Sequence, residues 1–277
     1  MGQIDPHVNA GNMGKSTASP GGNPARSDQD TEALYPELAA FLRLARTRRS
    51  VRHFKDTPLP QGLIEQLLTA AQWAPSGYNL QPTHFIVIDS PALKKKLRPA
   101  CMGQSQVEEA PAVVLFAGNR NALQHNMEAT LQADLDAGAI TPAYARQIRR
   151  FIQLALDPGL GGTGWMWKAF LAPVGKIMMP VPSIPAVQKT YWLGKQAALC
   201  AMNFMLAAHA AGLATVPMEG FDESRVRAVC ELPAHLHVVL VVPVGYAAGD
   251  MPLKTRLPLQ SMISYNGYQG KPAAGST

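Results

Sequence analysis

Cysteine is scarce in this chain. Cys101, Cys200 and Cys230 stand far apart in 277 residues, with no C-x-x-C pair. Their spacing argues against a disulfide framework or a thiolate metal site and makes the reduced thiols of a cytoplasmic protein the default expectation. The seven histidines show neither H-x-x-x-H nor H-E-x-x-H spacing, so no histidine metal centre is expected. No G-x-S-x-G occurs, which leaves a serine hydrolase without its nucleophile elbow. The net charge of +6 is moderate and its basic residues are dispersed, with no long Lys/Arg tract and no zinc-finger or RNA-binding signature. Nucleic acid is therefore not implied, whereas a basic face around an anionic cofactor accounts for part of the charge. The N-terminus has no signal-peptide apolar region, and Pro6 spoils the myristoylation pattern after Gly2.

Residues 1–30 have almost no large apolar side chains and are rich in Gly, Asn, Pro, Ser and Asp, a composition that predicts a disordered tail. Residues 266–277 read as a second flexible tail. Between them, with 47% hydrophobic residues in the whole chain, lies enough apolar side chain for a large core. Helical spacing runs from Thr31 to Arg48 and from Leu63 to Trp73. His84 to Ile88, Ala112 to Ala117 and His237 to Tyr246 read as strands. Ser90-Pro91 opens a short basic helix ending near Arg98, with the serine placed to cap it. Asn121 to Leu156 is helical with a break near Gly138 and Pro142, and Glu223 to Cys230 is a further helix. Lys195 to Gly212 is helical and almost wholly apolar, so it needs cover on every side, from the core or from a second subunit. Strands separated by helices, without an internal repeat, predict an α+β sandwich around one sheet.

Arg48-Arg49-Ser50-Val51-Arg52 follows the first helix and sets three guanidiniums and a hydroxyl within five residues. Alone, the motif suits either a solvated basic helix end or a grip on a small anion such as phosphate. A second basic cluster, Lys254-Thr255-Arg256, lies near the other end of the chain. The breaker-rich loop Ala74 to Pro82 holds two amides, Asn79 and Gln81, suited to the donor–acceptor edge of a heteroaromatic ring. Pro217-Met218-Glu219-Gly220 is a loop whose backbone N–H groups suit a ring atom that turns negative on reduction. Together these describe FMN. Gly159-Leu-Gly161-Gly-Thr-Gly164 matches G-x-G-x-x-G by letter, but a predicted helix precedes it where the dinucleotide fingerprint needs a strand, so it reads as a turn.

The chain resembles the FMN-dependent nitroreductase family, particularly the bacterial oxygen-insensitive NAD(P)H nitroreductases, over about Arg43 to Pro258. The resemblance rests on Arg48-Arg49-Ser50-Val51-Arg52, Ala74 to Pro82, Trp192-Leu-Gly-Lys195-Gln196, Asn203-Phe204, Gly212 to Asp222, Val242 to Tyr246 and Lys254 to Pro258, in that order. It implies an α/β/α sandwich over residues 31–265 with a central mixed, mostly antiparallel sheet. It also implies a homodimer with both flavins at the subunit interface; separately, the Gly/Pro interruptions of residues 158–187 are too many for one bilayer-crossing helix, so no stable membrane insertion is expected. Arg48, Arg49, Ser50, Lys254 and Arg256 would hold the FMN phosphate, and Arg52 the pyrimidine side. Asn79 and Gln81 would bind the ring's polar edge, and Glu219 and Gly220, after Pro217, would place donors at N5 and O4. The implied activity is two-step exchange: NADH or NADPH reduces the flavin, which then reduces a nitroaromatic, a quinone or another small aromatic acceptor. The same scaffold serves deiodination, flavin destruction and metabolite dehydrogenation, and a non-catalytic flavin-binding protein is the remaining alternative. In two places the chain departs from the pattern. Thr83 stands where an aromatic residue commonly follows the Asn-x-Gln-Pro run. Residues 158–187 form a longer Gly/Pro-rich segment whose Trp165, Trp167 and Phe170 are expected to form a wall or lid on the substrate side of the flavin, with packing on the outside of the dimer and docking on a lipid surface as the alternatives.

Overall fold

The structure is a computed structural model that describes residues 34–156, 189–251 and 253–268. The segment 158–187, with Trp165, Trp167 and Phe170, and the 1–30 tail lie outside the described residues. The chain divides into two units, one ending at Arg43 and the other running from Leu44. In the first, the opening turns of helix α1 (Pro36–Thr47) leave Leu38 and Phe41 about half exposed, although periodicity marks them as an apolar stripe.

The second unit is built on a sheet of strands β1 (Thr83–Ile88), β2 (Ala112–Asn119), β3 (Ala214–Thr215) and β4 (Leu236–Gly245), in the order β1-β2-β4-β3. All three pairings are antiparallel. The parallel contribution among the described residues is one isolated bridge, Ser50 to Thr215.

Burial on both faces explains the unbroken apolar run of β2. Successive side chains on a strand point to opposite faces. Val113 and Leu115 join a core with Leu97, Cys101, Val107 and Val226, while Ala112, Val114 and Phe116 join a second with Leu67, Ala71, Ala201 and Phe204. Helices α2 (Leu63–Gln72), α3 (Pro91–Ala100) and α4 (Gln106–Glu109) come before the strand or just ahead of it. After it come α5 (Ala122–Asp136), α6 (Pro142–Leu156), α7 (Lys189–Ala210) and α8 (Glu223–Val229). By these core memberships α3, α4 and α8 cover one face and α2 and α7 the other, which is the expected α/β/α sandwich. In β4 a register shift opposite Phe116 and Ala117 resets the alternation, so Val238 and Val241 share one face.

Ser90 caps α3 as expected, its Oγ accepting from the Leu93 N–H. Helix α7 begins at Lys189, before the expected Lys195, because Trp192 and Leu193 are buried in a third core with Leu80, Met127, Leu131 and Ile152. The strand β2 meets this helix closely at Gly118, where a Cβ would stand 2.6 Å from the Leu193 Cβ. Tertiary packing there outweighs the weak helix propensity of Gly194. Cover on every side of α7 is not what one chain provides. Tyr191, Leu199 and Met202 are exposed on its outer side. Among the described residues no helix is long and apolar enough to cross a membrane, and no His/Cys/Asp/Glu group could hold a metal ion.

Candidate functional site

The two basic clusters, about two hundred residues apart in sequence, are one cluster in the structure. Helix α1 ends at Thr47, and its last carbonyls lie beyond the reach of the helix's own N–H groups, as in any helix. Lys254 Nζ donates to two carbonyls of this end, Ala45 O at 2.8 Å and Arg48 O at 3.3 Å. Arg49 Nη1 donates to the carbonyls of Arg46, Thr47 and Arg48 at 2.6, 2.9 and 3.1 Å. Burial, and then the charges of Arg256 and Arg49, hold Arg48 below its ordinary value. Lys254 is held down by burial and then by Arg256, Arg48 and Arg49. Cations packed until they depress one another form a site that an anion stabilises.

Two further groups belong here that the sequence did not reveal. His209, in the last turn of α7, has Nε2 2.7 Å from Thr47 Oγ1, and burial with Arg48, Arg49 and Lys254 lowers its pKa. Thr215 pairs with the motif through the Ser50 bridge and accepts from the Val51 N–H at 3.2 Å. Its side chain is buried, and its Oγ1 has no hydrogen-bond partner among the described residues.

From Thr215 the chain runs directly into the Pro217 loop. Met218 and Val241 exchange main-chain bonds at 2.9 and 3.1 Å, and Asp222 N–H donates to Ala100 O at 2.8 Å, pinning both ends. Between them Phe221 N–H donates to Glu219 O at 3.0 Å, closing a tight turn around Gly220. Among the described residues the main-chain bonds of the loop thus use the N–H groups of Met218, Phe221 and Asp222 and not those of Glu219 and Gly220. Glu219 is exposed and Gly220 half-buried. Arg52 is exposed, one residue beyond the buried Val51.

The amide loop lies elsewhere. Tyr78, Asn79 and Gln81 have φ of 57°, 52° and 45°, three left-handed non-glycine residues in four positions. Such strain persists only where the surroundings over-determine it. Gly77 N–H donates to Gln196 Oε1 at 2.9 Å, Asn79 Nδ2 to Asp134 Oδ1 at 3.1 Å, and Asn126 Nδ2 to the carbonyls of Leu80 and Gln81, both at 3.0 Å. Beside the loop a cavity of about 440 Å³ is lined by Ser76, Gln81, Thr83, Phe85 and Cys200 among others, so the small Thr83 borders open space. Burial pushes the Cys200 thiol up, which makes it a poor nucleophile. Gln196, which holds the amide loop, and His209, at the basic cluster, are 13 residues apart on α7, about 20 Å along the helix axis at 1.5 Å per residue. The structure therefore unites Arg48, Arg49, Ser50, Lys254 and Arg256, and links them through Thr215 to Pro217, Glu219 and Gly220. It does not bring Asn79 and Gln81 to them.

An antiparallel sheet between helical layers, carrying a cation cluster that joins Arg48 and Arg49 to Lys254 and Arg256, defines an α+β protein. Residues 45–246 match the model of the Nitroreductase family, and the chain belongs to that family. It is 34% identical over 233 residues to a Thermus thermophilus protein named NADH dehydrogenase, across 84% of this chain and 98% of that one. An iodotyrosine deiodinase of Nematostella vectensis is 22% identical, across 84% and 77%. A solved nitroreductase-like protein of Streptococcus mutans has 26% identity and a TM-score of 0.65, covering 83% of this chain and 100% of that one. A protein of Exiguobacterium sibiricum solved in complex with FMN shares the fold with a TM-score of 0.63 at 24% identity, covering 82% and 97%.

Proposed function

We propose that this chain is an FMN-dependent oxidoreductase that draws on NADH or NADPH to reduce nitroaromatics or quinones. The observation that carries the reading is the union of Arg48, Arg49 and Ser50 with Lys254 and Arg256. Planar guanidiniums, one ammonium and the Ser50 hydroxyl fit a single phosphate. In this reading those five residues hold the phosphate and Arg52 sits at the pyrimidine side. The Pro217 loop offers the N–H groups of Glu219 and Gly220 to the ring. When bound, FMN supplies hydride acceptance and two-electron transfer, while the protein contributes binding, orientation and electrostatics. The family membership, and the shared fold of the relative solved with FMN, support the assignment. The test is turnover. NADH or NADPH should bleach the protein's flavin absorbance, and a nitroaromatic or quinone should restore it repeatedly. Bleaching with neither acceptor active would move the substrate to another class, an iodinated phenol being the first to try given the deiodinase relative.

The site needs a second chain to be complete. The amide loop, about 20 Å from the cation cluster, suits the flavin held by a partner rather than its own. The uncovered apolar side chains support a dimer: Tyr191, Leu199 and Met202 on α7, and Leu253 and Leu257 near the C-terminal end.

His209 makes the anion site sensitive to pH. Its pKa is depressed in the folded state, so stability is fully present above the ordinary histidine value of about 6.5 and is lost as pH falls through the folded value. A dianion on the cluster offsets the charge that protonation adds. Sulfate is therefore expected to raise the unfolding midpoint more at about pH 5.5 than at about pH 7.5, and His209→Ala to abolish the difference. Equal pH dependence in both proteins would contradict this.

A further inference from the structure

Gln106 is a polar side chain that none of the assigned roles uses, although it is 5% exposed. Its Nε2 donates to Gln104 Oε1 at 2.8 Å and lies 3.7 Å from Met218 Sδ. The half-buried Gln104 donates in turn from Nε2 to Cys101 O at 3.1 Å and to Gly220 O at 2.9 Å. The direction of this relay is forced. Two main-chain carbonyls can only accept, so Gln104 must present its NH₂ to them and its oxygen to Gln106, which must donate. Replacing that donor leaves Gln104 with a buried unpaired oxygen or a turned amide, and either loosens the bond to Gly220.

What the bond holds is the tightest turn near the site. Gly220 O faces Gln104, and Glu219 O faces the Phe221 N–H. In a trans peptide the N–H points opposite to the C=O. The Gly220 N–H, in the same plane as Glu219 O, is thereby aimed outward from the turn. Both ends of the loop are already pinned through Met218 and Asp222, so Gln104 governs what freedom is left in the middle.

We infer that Gln106 is a positioning residue. Acting through Gln104, it fixes the Gly220–Phe221 peptide, whose N–H holds Glu219 O, and through that carbonyl it orients the Glu219–Gly220 peptide and so sets how strongly the Gly220 N–H favours the reduced form of a flavin bound against it. The inference rests on the flavin assignment above, and the test separates the two. Gln106→Met keeps length and apolar contact while removing the donor. Hydrogen exchange in the segment 217–222 is expected to quicken about tenfold without any flavin present, the worth of one hydrogen bond. In FMN-loaded protein the ratio of affinities for reduced and oxidised flavin is expected to fall by the same factor, a potential about 30 mV more negative for a two-electron couple. In turnover kcat should fall more than KM changes. Should Gln106→Met fail to fold, Gln104→Met breaks the same relay at a half-buried position and is read in the same way. Wild-type exchange and wild-type potential in a folded variant would overturn the inference. Wild-type protein that takes up no FMN would overturn the flavin assignment instead, and quickened exchange would still uphold the relay's hold on the turn.

Discussion

Arg48→Ala and Arg256→Ala are each expected to weaken FMN binding by about tenfold to a hundredfold, since a hydrogen bond to a charged group is worth about 1.5–3 kcal/mol. The fold should survive both changes. Arg256 is exposed, and in the structure it bears on Arg48 and Lys254 through its charge. Removing one of several mutually repelling cations also relieves the free protein, so the unfolding midpoint without flavin should hold or rise while affinity falls. That opposition in sign distinguishes a ligand site from a structural cluster. Arg48 and Arg256 interact, so the double variant should depart from additivity. Fluorescence titration with FMN and with riboflavin, which lacks the phosphate, reads the effect directly. FMN should lose its advantage over riboflavin in both variants. Unchanged FMN affinity in both would contradict the phosphate assignment.

Met202→Asp should abolish the dimer and the flavin together. Met202 is 42% exposed in one chain and stands on the outer side of an otherwise apolar helix, in line with Leu199. Placing a carboxylate in an apolar interface costs several kcal/mol, and each 1.4 kcal/mol is about tenfold in association. A loss of at least about a hundredfold is expected, enough to give monomers at micromolar concentration. The inner side of α7, with Ala197, Ala201 and Phe204 in the core, is untouched by the change, so the monomer should remain folded. Its flavin should go because the amide loop and the cation cluster stand about 20 Å apart along α7 and, in the proposed dimer, meet across two chains. Light scattering that finds monomers holding FMN with wild-type affinity would refute the idea that the interface makes the site.

Much of this was legible in the residues themselves. The apolar run Ala112 to Ala117 marked a strand buried on both faces, and Gly138 and Pro142 marked the break between two helices, because local composition alone decides such features. That both basic clusters serve one FMN was read from their chemistry, and the resemblance gave Arg48 and Lys254 their shared phosphate, since nothing local joins residues so far apart. Two strand residues, Ala214 and Thr215, are too short a run to show a period, yet they dock the basic motif on the sheet. Gln104 and Gln106 were passed over because a glutamine carries no charge or motif, and its worth lies wholly in which carbonyl it meets. His209 was hidden for a similar reason, as it reaches Thr47 through the length of α7, from the far side of the sequence. The apolarity of α7 was read correctly, but whether core or partner covers each side depends on tertiary placement, which leaves Tyr191, Leu199 and Met202 outside.

The central claim is that the united cation cluster holds the phosphate of FMN. The visible absorption spectrum of the purified full-length protein, followed by extraction and identification of its flavin, tests it most directly. The account predicts a yellow protein whose released flavin is FMN and whose absorbance bleaches on adding NADH or NADPH. Recovery of FAD, or a folded protein that stays colourless after incubation with FMN, would contradict it.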